Sequence, residues 1–372
     1  MVLSLAMKRL VIILSVAICG LFGATAAYPC TTFVLQGGGR IYFGRNLDWH
    51  WEDGFVVINR RNIEKTAFVA AERPAANWTS KYGSVTFNQF GCEMPFGGMN
   101  EAGLVVETSM LMETKYPAAD SRPEINMLQW VQYQLDNCRT VAEVIATDKQ
   151  IRLEQPTLPA RIHYLVCDAE GDCATIEYLD GALVCHRGPD LPWRALANST
   201  YQQCAAHLRA QAAAEDDAAP PKDGRSLSRF ARAAARAGQF TPASVQQDMQ
   251  YACDTLEQVC QEHTVWRIVY DVSAREIHYQ TRGNPQPRKL ALKGLEFSYA
   301  RQAQFVDIAA NPNATGRFDF QDLTEARQRK YLEGFIARES VKKRFGDLSK
   351  TIESLLRTLQ GYKCAGGQPG DK

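Results

Sequence analysis

The chain has 372 residues, 42 Lys and Arg against 41 Asp and Glu, and a formal charge of +1. That balance argues against a nucleic-acid binder and against electrostatic steering by a large field. A hydrophobic content of 45% over this length is enough for one large core or two modest ones.

In chain order the first feature is an export signature. Met7-Lys8-Arg9 is a short positive segment, Leu10 to Phe22 is apolar, and Ala24-Thr25-Ala26 is a small-x-small cleavage site. The sequence therefore predicts a signal peptide over 1–26, cleaved from a periplasmic or secreted chain. The apolar run is short of the ~20 residues of a comfortable span, so no stable membrane anchor is expected. Lipid attachment is disfavoured because Tyr28 and Pro29, not small residues, precede Cys30. Residues 27–29 remain as a short remnant in front of that cysteine. Removing 1–29 deletes Lys8 and Arg9 and no acid, which moves the formal charge from +1 to −1.

Strands follow. Thr31 to Leu35 is β-rich, Gly37-Gly38-Gly39 turns, and Arg40 to Gly44 returns as a hairpin. Gly54 to Ile58 and Thr66 to Val69 continue the pattern. Phe87 to Phe96 and Met99 to Glu107 are read as strands, with Asn100 to Gly103 as a turn. Pro123-Glu124 marks a helix start, and Met127, Leu128, Trp130, Val131 and Leu135 recur at helical spacing up to Cys138. Thr140 caps a short helix over 141–146. Sheet character resumes over 161–167, 174–178 and 182–185. Residues 210–225 are polar and hold Pro and Gly, as an exposed loop does. Two helices are predicted over 226–237 and 242–253, capped by Ser226 and Thr241. Trp266 to Asp271 and Ile277 to Thr281 form a late hairpin. Leu323 to Tyr362 has a helical pattern, a C-terminal extension ending in a flexible tail over 365–372. Nothing repeats, and 30–364 reads as a single domain of layered sheet and helix.

Of eleven cysteines, Cys19 lies in the signal. An oxidising compartment permits disulfides. Cys167 and Cys173 flank a turn and are placed to meet across a hairpin, whereas Cys253, Cys260 and Cys364 have no readable pairing. No Cys-x-x-Cys occurs and the six histidines are scattered, so no metal site is expected.

Chemistry converges on Cys30. A cysteine made residue 1 of a mature chain carries a nucleophilic thiol and an α-amine of reference pKa near ~8 on one residue. Ala27-Tyr28-Pro29 must first be removed, by the thiol acting on its preceding carbonyl or by a protease. Arg45 and Asp48 return to the neighbourhood of Cys30 across the first hairpin. The carboxylate is suited to hold an ammonium, and the guanidinium is expected to lower the thiol pKa. His50 adjoins this motif, either lining the pocket or satisfied structurally. Asn100 and Glu101 are turn formers. Trp49, Met110, Met112 and the aromatics near Phe55 are candidates for an apolar acyl pocket, with core packing as the plain alternative.

From Cys30 to about Ser298 the sequence resembles the choloylglycine hydrolase family, the N-terminal-nucleophile (Ntn) amidases that include bile salt hydrolases and penicillin V acylases. The resemblance rests on Cys30-Thr31, Phe43-Gly44-Arg45-Asn46-x-Asp48, Gly98-Met99-Asn100-Glu101-x-Gly103-Leu104, Ala197-Asn198-Ser199, Ser228-Arg229-Phe230-x-Arg232-x-Ala234 and Thr264-x-Trp266-x-x-Val269-Tyr270-Asp271. It implies an α+β fold, a four-layer αββα sandwich of two antiparallel sheets between helical layers. It also implies catalytic roles for Cys30 as nucleophile, Arg45 beside it, Asp48 on the α-amine, Asn198 as oxyanion donor and Arg229 as second arginine, with Arg232 the competing choice. Trp49 and Met110 are then the substrate-binding candidates. Met110 stands where bile salt hydrolases often carry Asn and penicillin V acylases often carry Tyr. The implied function is hydrolysis of a linear amide in a small amphipathic substrate with a bulky apolar acyl group, without cofactor or metal. A penicillin V acylase-like activity is favoured, with conjugated bile salt hydrolysis as the alternative and a non-catalytic exported binding protein as the rival of another class. Relatives of this kind are often homotetramers.

Overall fold

A computed structural model describes residues 30–69, 73–155, 161–214 and 220–365. The expected signal peptide 1–26, the 27–29 remnant, the middle of the 210–225 loop and the tail from 366 onward lie outside the described residues.

Two antiparallel sheets form the centre. The first has the spatial order Ala195–Leu196, Thr31–Gly37, Arg40–Asp48, Thr264–Asp271, Glu276–Thr281 and Arg288–Ala291. The second runs Ala182–Arg187, Cys173–Leu179, Ile162–Cys167, Val105–Met110, Pro95–Asn100, Ser84–Asn88, Phe55–Asn59, Gln304–Asp307 and Gln321–Asp322. Inner strands such as Ser84–Asn88 and Ile162–Cys167 are buried along their whole length. One face of each meets the opposite sheet and the other meets a helix, which is why they lack a simple polar alternation.

Between the sheets lie Phe43, Val85, Phe87, Met99, Trp266 and Tyr270. The Phe87 ring bridges the layers, with centroids 6.2 Å from Tyr270 and 5.4 Å from Tyr279. The helix Met127–Asn137 covers the outer face of the second sheet, burying Trp130, Val131 and Leu135 against Leu104, Val106 and Tyr164. Helices Ser226–Gly238 and Val245–Gln258 cover the first sheet over Thr31–Gly37 and Arg40–Asp48. The order is helix, sheet, sheet, helix: an αββα sandwich. Each fully buried large apolar side chain contributes about 1.5–3 kcal/mol to holding these layers.

Several local expectations shift. The first helix starts after Asn126, whose side chain accepts from Leu128 N–H, because Glu124–Ile125 is drawn into a parallel pair with Arg152–Leu153. The helix Tyr201–Ala213 was not foreseen, although Thr200 and Gln203 make a reciprocal capping box. Ser244, not Thr241, caps Val245–Gln258, again with a box partner, Gln247. Ser226 caps nothing; its hydroxyl accepts from Asn198 N–H at 2.9 Å and faces the site. Phe87 to Phe96 is broken between two strands, and the strand expected at Thr66 to Val69 is Ile63–Thr66.

The C-terminal helices Glu325–Ile336, Glu339–Phe345 and Ser349–Gln360 pack on Met94, Phe90 and the Trp49–Trp51 segment. Among the described residues no helix is long and apolar enough to cross a membrane.

Candidate active site

Cys30 sits just ahead of the strand Thr31–Gly37, with 3% of its surface exposed. Thr31 pairs with Asn46, so by register Cys30 falls opposite Leu47. On the other side Thr32 pairs with Leu196, and continuing that register brings Asn198 opposite Cys30. Arg45 and Asp48 are three residues apart on one strand and therefore leave it on opposite faces. The cysteine lies at the strand end between them.

Asp48 is fully buried, and its Oδ1 accepts from the Thr264 hydroxyl. Its Oδ2 finds no hydrogen-bond partner among the described residues. Burial pushes its carboxyl up to about 6, against the pull of the Thr264 hydrogen bond and of Arg229, Arg45 and His263. The paired strand Thr264–Asp271 delivers Thr264 directly opposite Asp48.

Arg45 points into the inter-sheet layer. Its Nε lies 2.5 Å from Glu107 Oε2, and Nη2 donates to Thr108 O at 3.1 Å. Glu107 is itself buried and accepts from the Tyr270 hydroxyl at 2.5 Å. Burial pushes the Glu107 carboxyl up to about 7, while Arg45 and Tyr270 pull it back. Gly97 makes this possible: a Cβ there would stand 2.1 Å from the Glu107 carboxylate carbon.

The expectation that Arg45 lowers the Cys30 thiol pKa holds in direction but is outweighed. Arg45 does pull it down, but burial is the larger effect and the thiol is raised from its ordinary value. The Asp48 charge adds to the rise, while a backbone hydrogen bond from Asp48 and the Arg229 charge oppose it. A buried neutral thiol needs a base to become a nucleophile.

Arg229 is hydrogen-bonded to the cysteine itself. Its Nη1 donates to the carbonyl of Cys30 and to the hydroxyl of Thr31, and its Nη2 donates to Asn198 Oδ1 at 2.8 Å. Burial lowers its pKa to about 10, so it remains a cation at neutral pH. Arg232 turns elsewhere, donating to Gln258 O at 2.9 Å and to Pro221 O. With Oδ1 held by Arg229, the Asn198 amide nitrogen faces away from it and donates to Met110 O at 2.8 Å. That uses one of its two N–H groups.

Met110 thus reaches the site through its carbonyl, while its half-buried side chain packs with the cluster beneath the helix Met127–Asn137. Trp49 follows Asp48, donates from Nε1 to Gln89 Oε1 at 2.7 Å, and sets its ring 5.8 Å from Phe96. Phe96 in turn lies under the Arg45 guanidinium at 5.9 Å. His50 packs on Trp49 and Trp51, and burial lowers its pKa to about 4. Asn100 is a turn former: its amide donates to Leu135 O and Cys138 O.

Sequence reading did not single out Glu107, Thr264, His163 or Glu177. His163 bridges Glu177 Oε1 at 2.9 Å and Ala197 O at 2.8 Å, and Glu177 also accepts from Tyr201 N–H. This buried network fixes both flanks of Asn198. Thr264 stood within a recognised motif, whereas the others show only as polar residues in apolar strands. Two clefts of about 860 and 970 Å³ lie elsewhere, one lined by Trp193, Leu208 and Ala234, the other by Arg60, Gln328 and Tyr362. Cys30 lines neither. Among the described residues no cluster of three His, Cys, Asp or Glu is disposed to hold a metal.

Residues 30–281 match the family of linear amide C–N hydrolases described as the choloylglycine hydrolase family. A penicillin V acylase from Pectobacterium atrosepticum is 29% identical over 200 residues, 49% of this chain and 52% of that protein. The match thus spans about half the length of that relative. Among solved structures, penicillin V acylase from Agrobacterium tumefaciens superposes with a TM-score of 0.68 at 24% identity, covering 79% of this chain and 98% of that one. A variant of conjugated bile acid hydrolase from Clostridium perfringens superposes with a TM-score of 0.61 at 15% identity, covering 79% and 100%. These two likenesses speak to the fold.

Proposed function

Because the chain belongs to the choloylglycine hydrolase family of linear amide C–N hydrolases, we propose that it is an exported acylase whose Cys30, once freed as residue 1, cleaves penicillin V or related N-acyl amides. The observation that carries this reading is the buried Asp48 carboxylate with one oxygen satisfied by Thr264 and the other unpartnered among the described residues. A buried anionic oxygen without a donor is costly. An α-ammonium at Cys30, beside Asp48 in register, supplies the donor and the opposite charge together.

The reaction then follows from the groups present. The free α-amine takes the proton of the Cys30 thiol, which burial otherwise keeps neutral, and the thiolate attacks the amide carbonyl. The second Asn198 N–H and a backbone N–H meet the developing oxyanion. Arg229 holds both the Cys30 carbonyl and the Asn198 amide, so nucleophile and donor share one rigid support. The ammonium returns its proton to the leaving nitrogen, the amine departs, and water hydrolyses the thioester to acid and thiol.

The acylase substrate class is supported by the likeness to penicillin V acylases and by Met110 in place of the Asn frequent in bile salt hydrolases. Export is supported by the pattern of residues 1–26. Rates on penicillin V, glycocholate and an N-acyl homoserine lactone test the reading. Penicillin V is expected to be cleaved fastest, and Cys30→Ser to abolish turnover on all three. Full activity in Cys30→Ser would remove the proposed nucleophile, and a preference for glycocholate would move the substrate to bile salts.

A further inference from the structure

The family match ends at residue 281, so the three helices from Glu325 to Gln360 lie beyond it. They are not a loose appendage. Trp51 is buried between Phe335 and Phe345, with ring centroids at 5.4 and 5.9 Å, and its Nε1 donates to Ser340 Oγ at 3.0 Å. Arg338 clamps Asp53 with two guanidinium nitrogens. The segment Trp49–Asp53 that directly follows Asp48 is therefore held in place from outside by the extension. Trp49 is tied to the site from the other side, since its N–H donates to His263 O at 3.0 Å, next to Thr264.

At the end of the helix Glu339–Phe345, the exposed Arg344 places its guanidinium 5.6 Å from the Trp49 ring centre and 5.7 Å from that of Phe345. A guanidinium held over aromatic rings in this way can still donate N–H groups to an anion. Arg344 makes no ion pair among the described residues. The nearby acid, Asp347, is influenced by Lys342 and Lys350. Lys342 and Lys343 stand in the same turn as Arg344, so this end of the helix is basic.

We propose that the C-terminal helices form a specificity-determining rim in which Arg344, stacked on Trp49, recognises a carboxylate carried by the amide substrate; this rests on the amidase reading above. The rim favours anionic acyl amides over neutral ones through binding, not through the chemical step, because Arg344 meets Trp49 and Phe345 rather than the groups bonded to Cys30.

The test compares phenoxyacetylglycine with its neutral counterpart phenoxyacetylglycinamide on wild type, Arg344→Gln and Arg344→Lys. Arg344→Gln is expected to raise KM for the carboxylate about fivefold, the size of an exposed ion pair, with kcat and both constants for the glycinamide unchanged. Arg344→Lys recovers part of the loss. An equal effect on both substrates, or none on either, overturns the rim. Should wild type cleave neither compound, turnover of penicillin V decides the amidase reading separately, and calorimetric binding of both compounds to wild type and to Arg344→Gln decides the rim. Tighter binding of the carboxylate that Arg344→Gln erases supports the rim; equal affinities, or no binding of either, overturn it.

Discussion

Arg45 Nε lies 2.5 Å from Glu107 Oε2, and neither side chain has more than 1% of its surface exposed. The cation that seemed free to activate Cys30 is therefore already committed to a buried partner, which Tyr270 also binds. Glu107→Gln leaves the guanidinium uncompensated and is expected to cost about 3–5 kcal/mol in chemical denaturation. The same substitution returns the positive charge to the thiol, so alkylation of the Cys30 peptide, followed by mass spectrometry, shifts to lower pH. Unchanged stability and an unchanged alkylation profile would contradict the pairing.

Asp48 links the site to stability. Its folded pKa of about 6 is above its ordinary value of 3.8, so the folded chain holds this proton more tightly than the unfolded one. The linked stabilisation is complete below about pH 4 and is lost as pH rises through about 6. Asp48→Asn in an unprocessed Cys30→Ala background is thus expected to be more stable than its parent by about 3 kcal/mol at pH 7, with the gap closing near pH 4. With Cys30 present, the same substitution should abolish turnover. A gap that does not depend on pH would show that Asp48 is not the strained carboxylate.

The two arginines of the helix Ser226–Gly238 separate cleanly. Arg229→Gln strands the Cys30 carbonyl and frees the Asn198 amide to rotate, so kcat should fall at least as far as in Asn198→Ala, about 10²–10³-fold. Arg232→Ala, whose contacts are to Gln258 and Pro221, should change kcat only a few-fold. Equal losses in steady-state kinetics would remove the distinction.

Cys167 and Cys173 are register partners with sulfurs 3.0 Å apart, both buried and both free thiols here. The neighbouring pair exchanges a hydrogen bond from Asp168 N–H to Asp172 O, which places the cysteines at the closer, non-hydrogen-bonded position. Protein recovered from an oxidising compartment is expected to lose one hydrogen from each thiol and join this pair. Peptide mapping that finds both thiols alkylatable after denaturation would refute it.

Much of this was legible in the residues. The run Phe43 to Asp48 placed Arg45 and Asp48 beside Cys30 because a glycine turn and a two-residue pleat leave little choice of register. The apolar spacing of Leu332, Phe335, Ile352 and Leu355 likewise marked the C-terminal helices. What stayed hidden was long-range. Glu107, His163 and Glu177 look like polar intrusions in strands until the first sheet brings Arg45 and Ala197 against them. Helix caps misread at Ser226 and Thr241 show the same limit: the hydroxyl of Ser226 is claimed by Asn198, which is distant in sequence.

Everything proposed for the site depends on Cys30 becoming residue 1. N-terminal sequencing with intact mass of the purified mature protein tests it directly. The account predicts a chain that starts at Cys30 in active wild type and retains residues ahead of position 30 in inactive Cys30→Ala. An active wild-type protein that starts at Ala27, with Tyr28 and Pro29 still in place, would contradict it.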